Sequence, residues 1–320
     1  MTKRVSIVIP NWNGKEFIMS CLKSVYESDY PLEWYEVIVV DNGSKDGSYE
    51  MVEERFNEEG FPEWRLIRLP KNRGFARACN EGIISAEWEY VVLLNNDVEV
   101  TPQWLSELVG GMDRHPECSM GTSKMVQYDN RQQLYNTGDL FKIWCTGGGR
   151  GSGEIDTGQY EEEEYVFGAC AGAGIYRKAL FEKIGSLDDN FFIFSEDVDF
   201  NLRAQLAGER CVYLPCAVVY HWGTATIGFH SNRHVFLSLR NDLFVLMKNY
   251  TLKELWQQRQ KIISFALKKA IQFSLSGQGL SVLMSRFSFL LFMLRMIRGR
   301  MDVLGVYRKR SLNEIEEIIR

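Results

Sequence analysis

The chain has 320 residues, 45% hydrophobic and 25% charged, with a formal net charge of −5. That composition suits a globular protein with a full core and argues against a general nucleic-acid binder. Seven cysteines (Cys21, Cys79, Cys118, Cys145, Cys170, Cys211 and Cys216) form no C-x-x-C pair, which argues against zinc or disulfide frameworks and for reduced core thiols in the cytoplasm.

Val5–Pro10 is apolar and β-branched and reads as a strand that starts too early to leave length for a signal peptide. Pro10-Asn11-Trp12-Asn13-Gly14 closes it as a loop. Lys15–Tyr26 carries Phe17, Ile18, Cys21, Leu22 and Val25 at helical spacing. Tyr35–Val40 is a second strand; it ends at DNGSKDGS, a phosphate-sized loop or simply a Gly-punctuated turn, before a helix near Tyr49–Phe56. Trp64–Leu69, Asn72-Arg73-Gly74 and a helix over Phe75–Ser85 repeat the pattern. Tyr90–Leu94 is a strand buried on both faces, ending at Asn95, Asn96 and Asp97. Four strand–helix alternations in about a hundred residues predict a Rossmann-type α/β fold with a mostly parallel sheet and flanking helices.

Parallel strands put their carboxyl ends on one edge, so these polar loops make one site rather than four turns. Neither G-x-G-x-x-G nor G-x-x-x-x-G-K-[ST] occurs, which leaves no dinucleotide fingerprint and no P-loop. A carboxylate flanked by amides suits a hard divalent cation that in turn holds phosphate, and it equally suits a turn.

Thr101-Pro102 predicts a helix with proline at its first position. Arg131–Glu164 is glycine-rich, then acidic, and reads as a mobile connection over the site or a solvated insertion. Ala171–Gly174 precedes a helix over Lys178–Ile184, and its small residues allow close backbone approach to a ligand or to another element. Phe191–Phe194 leads to Ser195-Glu196-Asp197-Val198-Asp199. If a helix starts at Asp199, that residue is a cap, whereas Asp197 suits a general base. Cys211–Leu214 and Ala217–Tyr220 read as short strands ending at His221-Trp222.

The ordered series VSIVIPNWNG, VIVVDNGSKDGS, NRGFARACNEGI and YVVLLNNDVEV resembles the family-2-type inverting glycosyltransferases of the GT-A fold, and looks most like their rhamnosyltransferase-like branch. The likeness continues through AGAGIYRKALFEKIGSLDDNFFIFSEDVDFNLRAQLAG and VVYHWGTATIG, covering roughly residues 4–230. It implies a nucleotide-diphospho-sugar donor, Mn²⁺ or Mg²⁺, and transfer with inversion. By resemblance, Pro10, Asn11, Asn13 and Asp41 face the base and ribose, and Gly74 lies near the nucleotide. Asn96 and Asp97 stand at the donor, with Asp97 as the metal-binding carboxylate of a D-x-D-like motif; Asn95 replaces the first aspartate that many members carry. Gly172 and Ala173 line the donor sugar. Asp197 is the base, Glu196 orients the acceptor, and His221 is a further metal ligand, a residue that would otherwise read as structural. Imidazole suits Mn²⁺ beside one carboxylate.

Residues 251–300 carry nine basic residues against one acidic residue, Glu254. Arg286 and Arg295 interrupt the apolar interval below the ~20 residues that a membrane span needs. The segment is expected either to lie on an anionic membrane surface or to pack on the catalytic domain or a second subunit, as in a homodimer.

These readings predict a GT-A-like catalytic domain over 1–235 and a basic, amphipathic helical C-terminal extension over 236–320. The expected activity is metal-assisted transfer of a sugar, with rhamnose a candidate, from a UDP- or dTDP-linked donor to a polysaccharide or lipid-linked glycan acceptor. No nucleic-acid partner is expected, and the location is cytoplasmic, at the inner membrane face if the extension binds lipid. The rivals are a sugar-nucleotidyltransferase, which wants a basic loop that Asn11–Gly14 does not offer, and a non-catalytic nucleotide-sugar or glycan binder.

Overall fold

A computed structural model describes residues 3–56, 62–142, 148–223 and 231–318. The first part alternates as read: β1 (Val5–Asn11), α1 (Ile18–Tyr26), β2 (Tyr35–Asp41), α2 (Ser48–Phe56), β3 (Glu63–Arg68), α3 (Phe75–Ser85) and β4 (Tyr90–Leu94). These strands lie parallel in the order β3-β2-β1-β4. β1, β2 and β4 are buried along their whole length, because helices cover both faces of a parallel sheet. The chain steps from β1 outwards to β3 and returns to the other side of β1. That reversal opens a crevice at the carboxyl ends of β1 and β4.

The second part departs from a parallel sheet. It comprises β5 (Val98–Val100), α4 (Trp104–Arg114), β6 (Met120–Gln127), β7 (Leu134–Asn136), β8 (Glu164–Val166), β9 (Ala173–Arg177), α5 (Lys178–Ile184), α6 (Glu196–Leu206) and β10 (Cys211–His221). β9 runs antiparallel between β4 and β6, and β10 pairs parallel with β6 and antiparallel with β5. The sheet is therefore mixed. Ala173 and Gly174 belong to β9 rather than to a loop, since small residues let this strand pass between two others. The two strands expected over 211–220 are one, with an irregularity between Leu214 and Val218.

Pro102 lies in a turn ahead of α4, closed by Trp104 N donating to Thr101 O at 3.0 Å, so it is not the first helical residue. Arg131–Glu164 borders the cavity in its described part, through Tyr135, Asn136, Asp139, Gly148, Gly149 and Ser152. Leu134 N donates to Glu154 O and Thr137 N to Arg150 O within the segment, at 2.8–2.9 Å, and β7 joins it to the sheet beside β6. Cys21, Cys79, Cys118 and Cys211 are buried free thiols as expected, whereas Cys170 is only half-buried and Cys216 is exposed on β10, so these two are not core residues; Cys145 and Gly147 lie outside the described residues.

The remaining elements are α7 (Asn232–Asn249), α8 (Leu252–Phe273), α9 (Gly279–Asp302) and α10 (Leu312–Ile318). The boundary expected at 235 falls inside α7. Thr251 and Glu254 form a reciprocal capping box at the start of α8. Gly277, with φ +81°, turns the chain between α8 and α9. α9 packs along α7 through Met296, Phe289 and Phe292 around Phe244. Within Leu252–Tyr307 one stretch is long and apolar enough to cross a membrane by length and composition, although the arginines were expected to prevent that. The apolar residues around the arginines outweigh them in that composition; Arg286 itself donates to Leu239 O, on α7, at 3.3 Å.

α6 and α7 are joined by a buried charge cluster. Asp199 accepts from Arg203 Nε at 2.9 Å, and from Lys248 Nζ and Asn249 Nδ2 at 2.8 Å each. Asp199 therefore does not begin α6; it lies within the first turn as a fully buried ion-pair partner.

Candidate active site

The carboxyl ends of β1, β2 and β4 converge on a cavity of about 700 Å³. Buried Asn11 is its hub. Its Nδ2 donates to Ser48 Oγ at 3.0 Å and Asp41 Oδ1 at 3.3 Å, while its Oδ1 accepts from Asn96 Nδ2 at 2.7 Å. Asn13, at φ 50°, accepts from Lys45 N through Oδ1 and donates its own N–H to Ser44 Oγ, each at 2.9 Å. Asp41 is wholly buried and accepts from Ser44 N at 3.1 Å, so it shapes the loop from behind. Gly74, at φ +96°, lies so close to Phe192 that an added Cβ would sit 2.5 Å from its carbonyl oxygen. Pro10, Asn11, Asn96, Asp97, Gly172, Glu196, Asp197 and His221 all line the cavity; Asn13, Asp41, Gly74 and Ala173 do not.

After β4, Asp97 Oδ1 and His221 Nε2 stand 3.1 Å apart, both buried, with Asn95 Nδ2 3.4 Å from the same nitrogen. β5 and β10 bring them together, because Val98 pairs with His221 across that ladder. Asn95 Oδ1 and His221 Nδ1 are buried polar atoms with no partner among the described residues. A carboxylate, an imidazole and an unpaired amide oxygen fit a divalent cation such as Mn²⁺ or Mg²⁺. The Tyr135 ring packs edge-on against His221, with centroids 4.3 Å apart. Tyr135 also lines the cavity, and burial above all raises its phenol. Trp222 stacks on Tyr128 at 3.6 Å, which occupies one of its faces; residues 224–228 of the adjoining motif lie outside the described residues.

The second acidic centre opens α6. Glu196 is buried, and its Oε2 has no partner among the described residues. Asp197 Oδ1 accepts from Val198 N at 2.8 Å. Burial raises the Asp197 carboxyl; burial and then the Asp197 charge push Glu196 well above the usual range. Asp139 was missed in the sequence, where it sits in a polar stretch without pattern. It is buried, accepts from Asn201 Nδ2 at 2.9 Å, and groups with Cys170 and Asp197 within 4.8 Å. Burial, then Asp197, pushes its carboxyl well up too. Burial likewise raises the Cys170 thiol, which makes it a poor partner for a hard cation, so the Asp97–His221 pair is the better metal site.

Phe192, Phe194 and Ser195 all adopt positive φ, at 69°, 72° and 64°. Three left-handed residues without glycine are strained and need outside support. Asn241 supplies it: wholly buried on α7, its Nδ2 donates to the carbonyls of Phe191, Ile193 and Phe194 at 3.0, 2.9 and 2.6 Å. Arg240 Nη2 adds a bond to Phe191 O at 2.8 Å. Asn241→Ala is expected to lower stability by about 1–3 kcal/mol, since it strands buried carbonyls. Amide exchange should accelerate at 192–195 but not in β1, β2 or β4. Unchanged exchange at 192–195 would show that the turn holds itself.

The chain resembles known proteins over the parts that build this site. The profile described as Glycosyl transferase family 2 matches residues 6–185. Glycosyltransferase AglE of Haloferax volcanii is 35% identical over 101 residues, 32% of this chain and 33% of that protein. The N-acetylglucosaminyl-diphospho-decaprenol L-rhamnosyltransferase of Mycobacterium tuberculosis is 24% identical over 241 residues, 64% of this chain and 75% of that protein. The chain thus spans about a third of the first relative and three quarters of the second. In structure it is similar to the mannosyltransferase PcManGT from Pyrobaculum calidifontis, solved with GDP-Man and Mn²⁺; the TM-score is 0.58 at 14% identity, covering 96% of this chain and 86% of that one. With the family profile matching more than half of its length, over the strands and loops that form the cavity, the chain belongs to glycosyltransferase family 2 and has a GT-A-like fold.

Proposed function

We propose that this protein transfers a sugar, with inversion, from a nucleotide-diphospho-sugar to a hydroxyl of a glycan or lipid-linked acceptor. The observation that carries this reading is the meeting in one cavity of the Asp97–His221 pair and the Glu196–Asp197 pair. Pro10 and Asn11 would face the base and ribose, with Asn13, Asp41 and Gly74 shaping their loops from behind, and Gly172 would back the sugar with Ala173 behind it. Asp97 and His221, with Asn95 beside them, would hold Mn²⁺ or Mg²⁺, which when bound neutralises the diphosphate leaving group. The mannosyltransferase neighbour holds Mn²⁺ with its GDP-linked donor, which supports a divalent cation here.

Asp197 takes the proton of the acceptor hydroxyl as its oxygen attacks the anomeric carbon from the side opposite the diphosphate. Glu196, whose carboxyl is pushed upward by burial and then by Asp197, would orient the acceptor through a hydrogen bond. A single displacement needs no covalent intermediate. The name of the mycobacterial relative makes rhamnose the first sugar to test; a UDP- or dTDP-linked compound is the first donor to try. The donor and the acceptor hydroxyl would both be handled by the part before α7, on the cytoplasmic face of a membrane.

Calorimetric titration of a nucleoside diphosphate with Mn²⁺ tests the metal assignment. Asp97→Ala and His221→Ala are each expected to weaken Mn²⁺-dependent binding by about tenfold or more, about 1.4 kcal/mol, with little change in melting temperature. Native-like titrations in both variants would remove Asp97 and His221 from the metal site.

A further inference from the structure

We propose that α8 and α9 bed into an anionic bilayer surface and hold the cavity mouth beside it. On α8, Leu252, Trp256, Ile263, Leu267 and Ile271 are each more than half exposed, at 56–76%. Their spacing of four and seven residues puts them on one face. On α9, Leu283, Phe287, Leu290, Leu291 and Leu294 are exposed by 61–69% and also share a face. Two helices each presenting a face of exposed large apolar side chains mark an interaction site.

The charges around it identify the occupant. Lys253, Lys261 and Lys268 are exposed and recur at seven- to eight-residue spacing, so they border one side of the α8 face. Arg295 and Arg298 are exposed where the α9 face ends. No acidic residue occurs between Glu254 and Asp302, and Glu254 is already paired with Arg308. An apolar face rimmed by cations suits anionic headgroups, with acyl chains beneath the Leu and Phe side chains and lysines reaching back to phosphate. A two-fold contact with a second copy would set the same cations against each other.

The helices lie on the bilayer rather than crossing it. The inner side of α9 is committed to α7: Met296 is buried, and a Cβ on Gly299 would touch Lys248 at 3.3 Å. The inner side of α8 reaches the active site, where Lys269 pairs with Asp242 at 2.9 Å and, with Phe273, lines the cavity that contains Asp197. One helix therefore faces the reaction on one side and offers apolar residues to lipid on the other. That geometry delivers a lipid-linked acceptor from the membrane, a consequence that rests on the glycosyl-transfer reading; the docking itself does not.

Vesicle flotation of the full chain, without donor or metal, tests the docking. The native protein is expected to float with phosphatidylglycerol-containing vesicles, less with pure phosphatidylcholine, and less as salt rises. Trp256 emission should shift to the blue on binding, and Trp256→Phe should remove that shift. Leu267→Glu combined with Leu291→Glu should cut partitioning at least tenfold with native circular dichroism; if this variant fails to fold, the Trp256 shift decides. Three results would overturn the proposal: native protein that stays with the pellet, an acidic variant that floats like the native chain, or a stable dimer whose Trp256 is already shielded without vesicles. A chain that floats but binds no nucleotide with Mn²⁺ would keep the docking and sink the transfer reading.

Discussion

Asp197→Asn is expected to lower turnover by about 10²–10⁴-fold, the usual loss when general-base help is removed. Asparagine keeps the size and most of the hydrogen bonding but accepts no proton. Donor affinity should stay near native, because the residue sits at the entrance of α6 and not among the β1 and β2 loops. The proton balance also sets the pH profile. Burial raises the Asp197 carboxyl, and the base works only when ionised. The rate should therefore climb with pH through a midpoint above the usual aspartate value of about 3.9, and this acid limb should vanish in Asp197→Asn. Glu196→Gln should cost less and show partly in the acceptor KM, because glutamine still donates a hydrogen bond. Steady-state assays of both variants separate the roles. Near-native turnover in Asp197→Asn with a dead Glu196→Gln would exchange the two assignments.

Asp199→Asn is expected to lower folding stability by about 3–5 kcal/mol, the cost of leaving buried cations uncompensated. Asp199 is fully buried against Arg203 and Lys248, themselves nearly inaccessible. The loss should fall at the low end, since Lys248 keeps Asp188 at 2.8 Å and Arg203 keeps Ser186 O at 2.7 Å. Burial pushes the Asp199 carboxyl up, and the Lys248 and Arg203 charges outweigh it, so its pKa is lowered overall. A lowered folded pKa means the stabilisation is present above the unfolded aspartate value and is lost as pH falls through the folded one. Urea unfolding at neutral and acidic pH checks both points. The native-minus-variant difference should shrink on acidification, and a difference below about 1 kcal/mol at pH 7 would reduce the cluster to a surface-like ion pair.

The Asn241 clamp connects these two results. α7 holds Asp199 through Lys248 and Asn249, and it holds the turn before Glu196 through Asn241. Helix α7 is thus part of the catalytic unit, although the boundary expected at 235 cuts through it.

The sequence by itself determined the first half of the fold. β1, β2 and β4 are short apolar runs ended by Asn11, Asp41 and Asn95, and α3 occupies Phe75–Ser85 as its periodicity indicates. Local signals suffice there, since each strand is buried on both faces and each loop carries its own turn residues. The acidic positions 97, 196 and 197 were singled out mainly through the family resemblance, because carboxylates at strand ends and helix starts are common as turn residues and caps. Only the tertiary structure decided the rest. β9 starts with the small residues Ala173 and Gly174, which favour no element, and its antiparallel place comes from pairing with β4 and β6. Asp139 is pushed towards its neutral form first by its burial and then by Asp197, 58 positions away in the chain. The positive-φ turn at Phe192–Ser195 exists because Asn241, on a distant helix, satisfies its carbonyls. Arg286 reads as a break in an apolar helix, and its guanidinium meets Leu239 O on α7. In each case the deciding contact joins residues far apart in sequence, and hydrophobic periodicity reports only which side of an element is apolar, not what that side will meet.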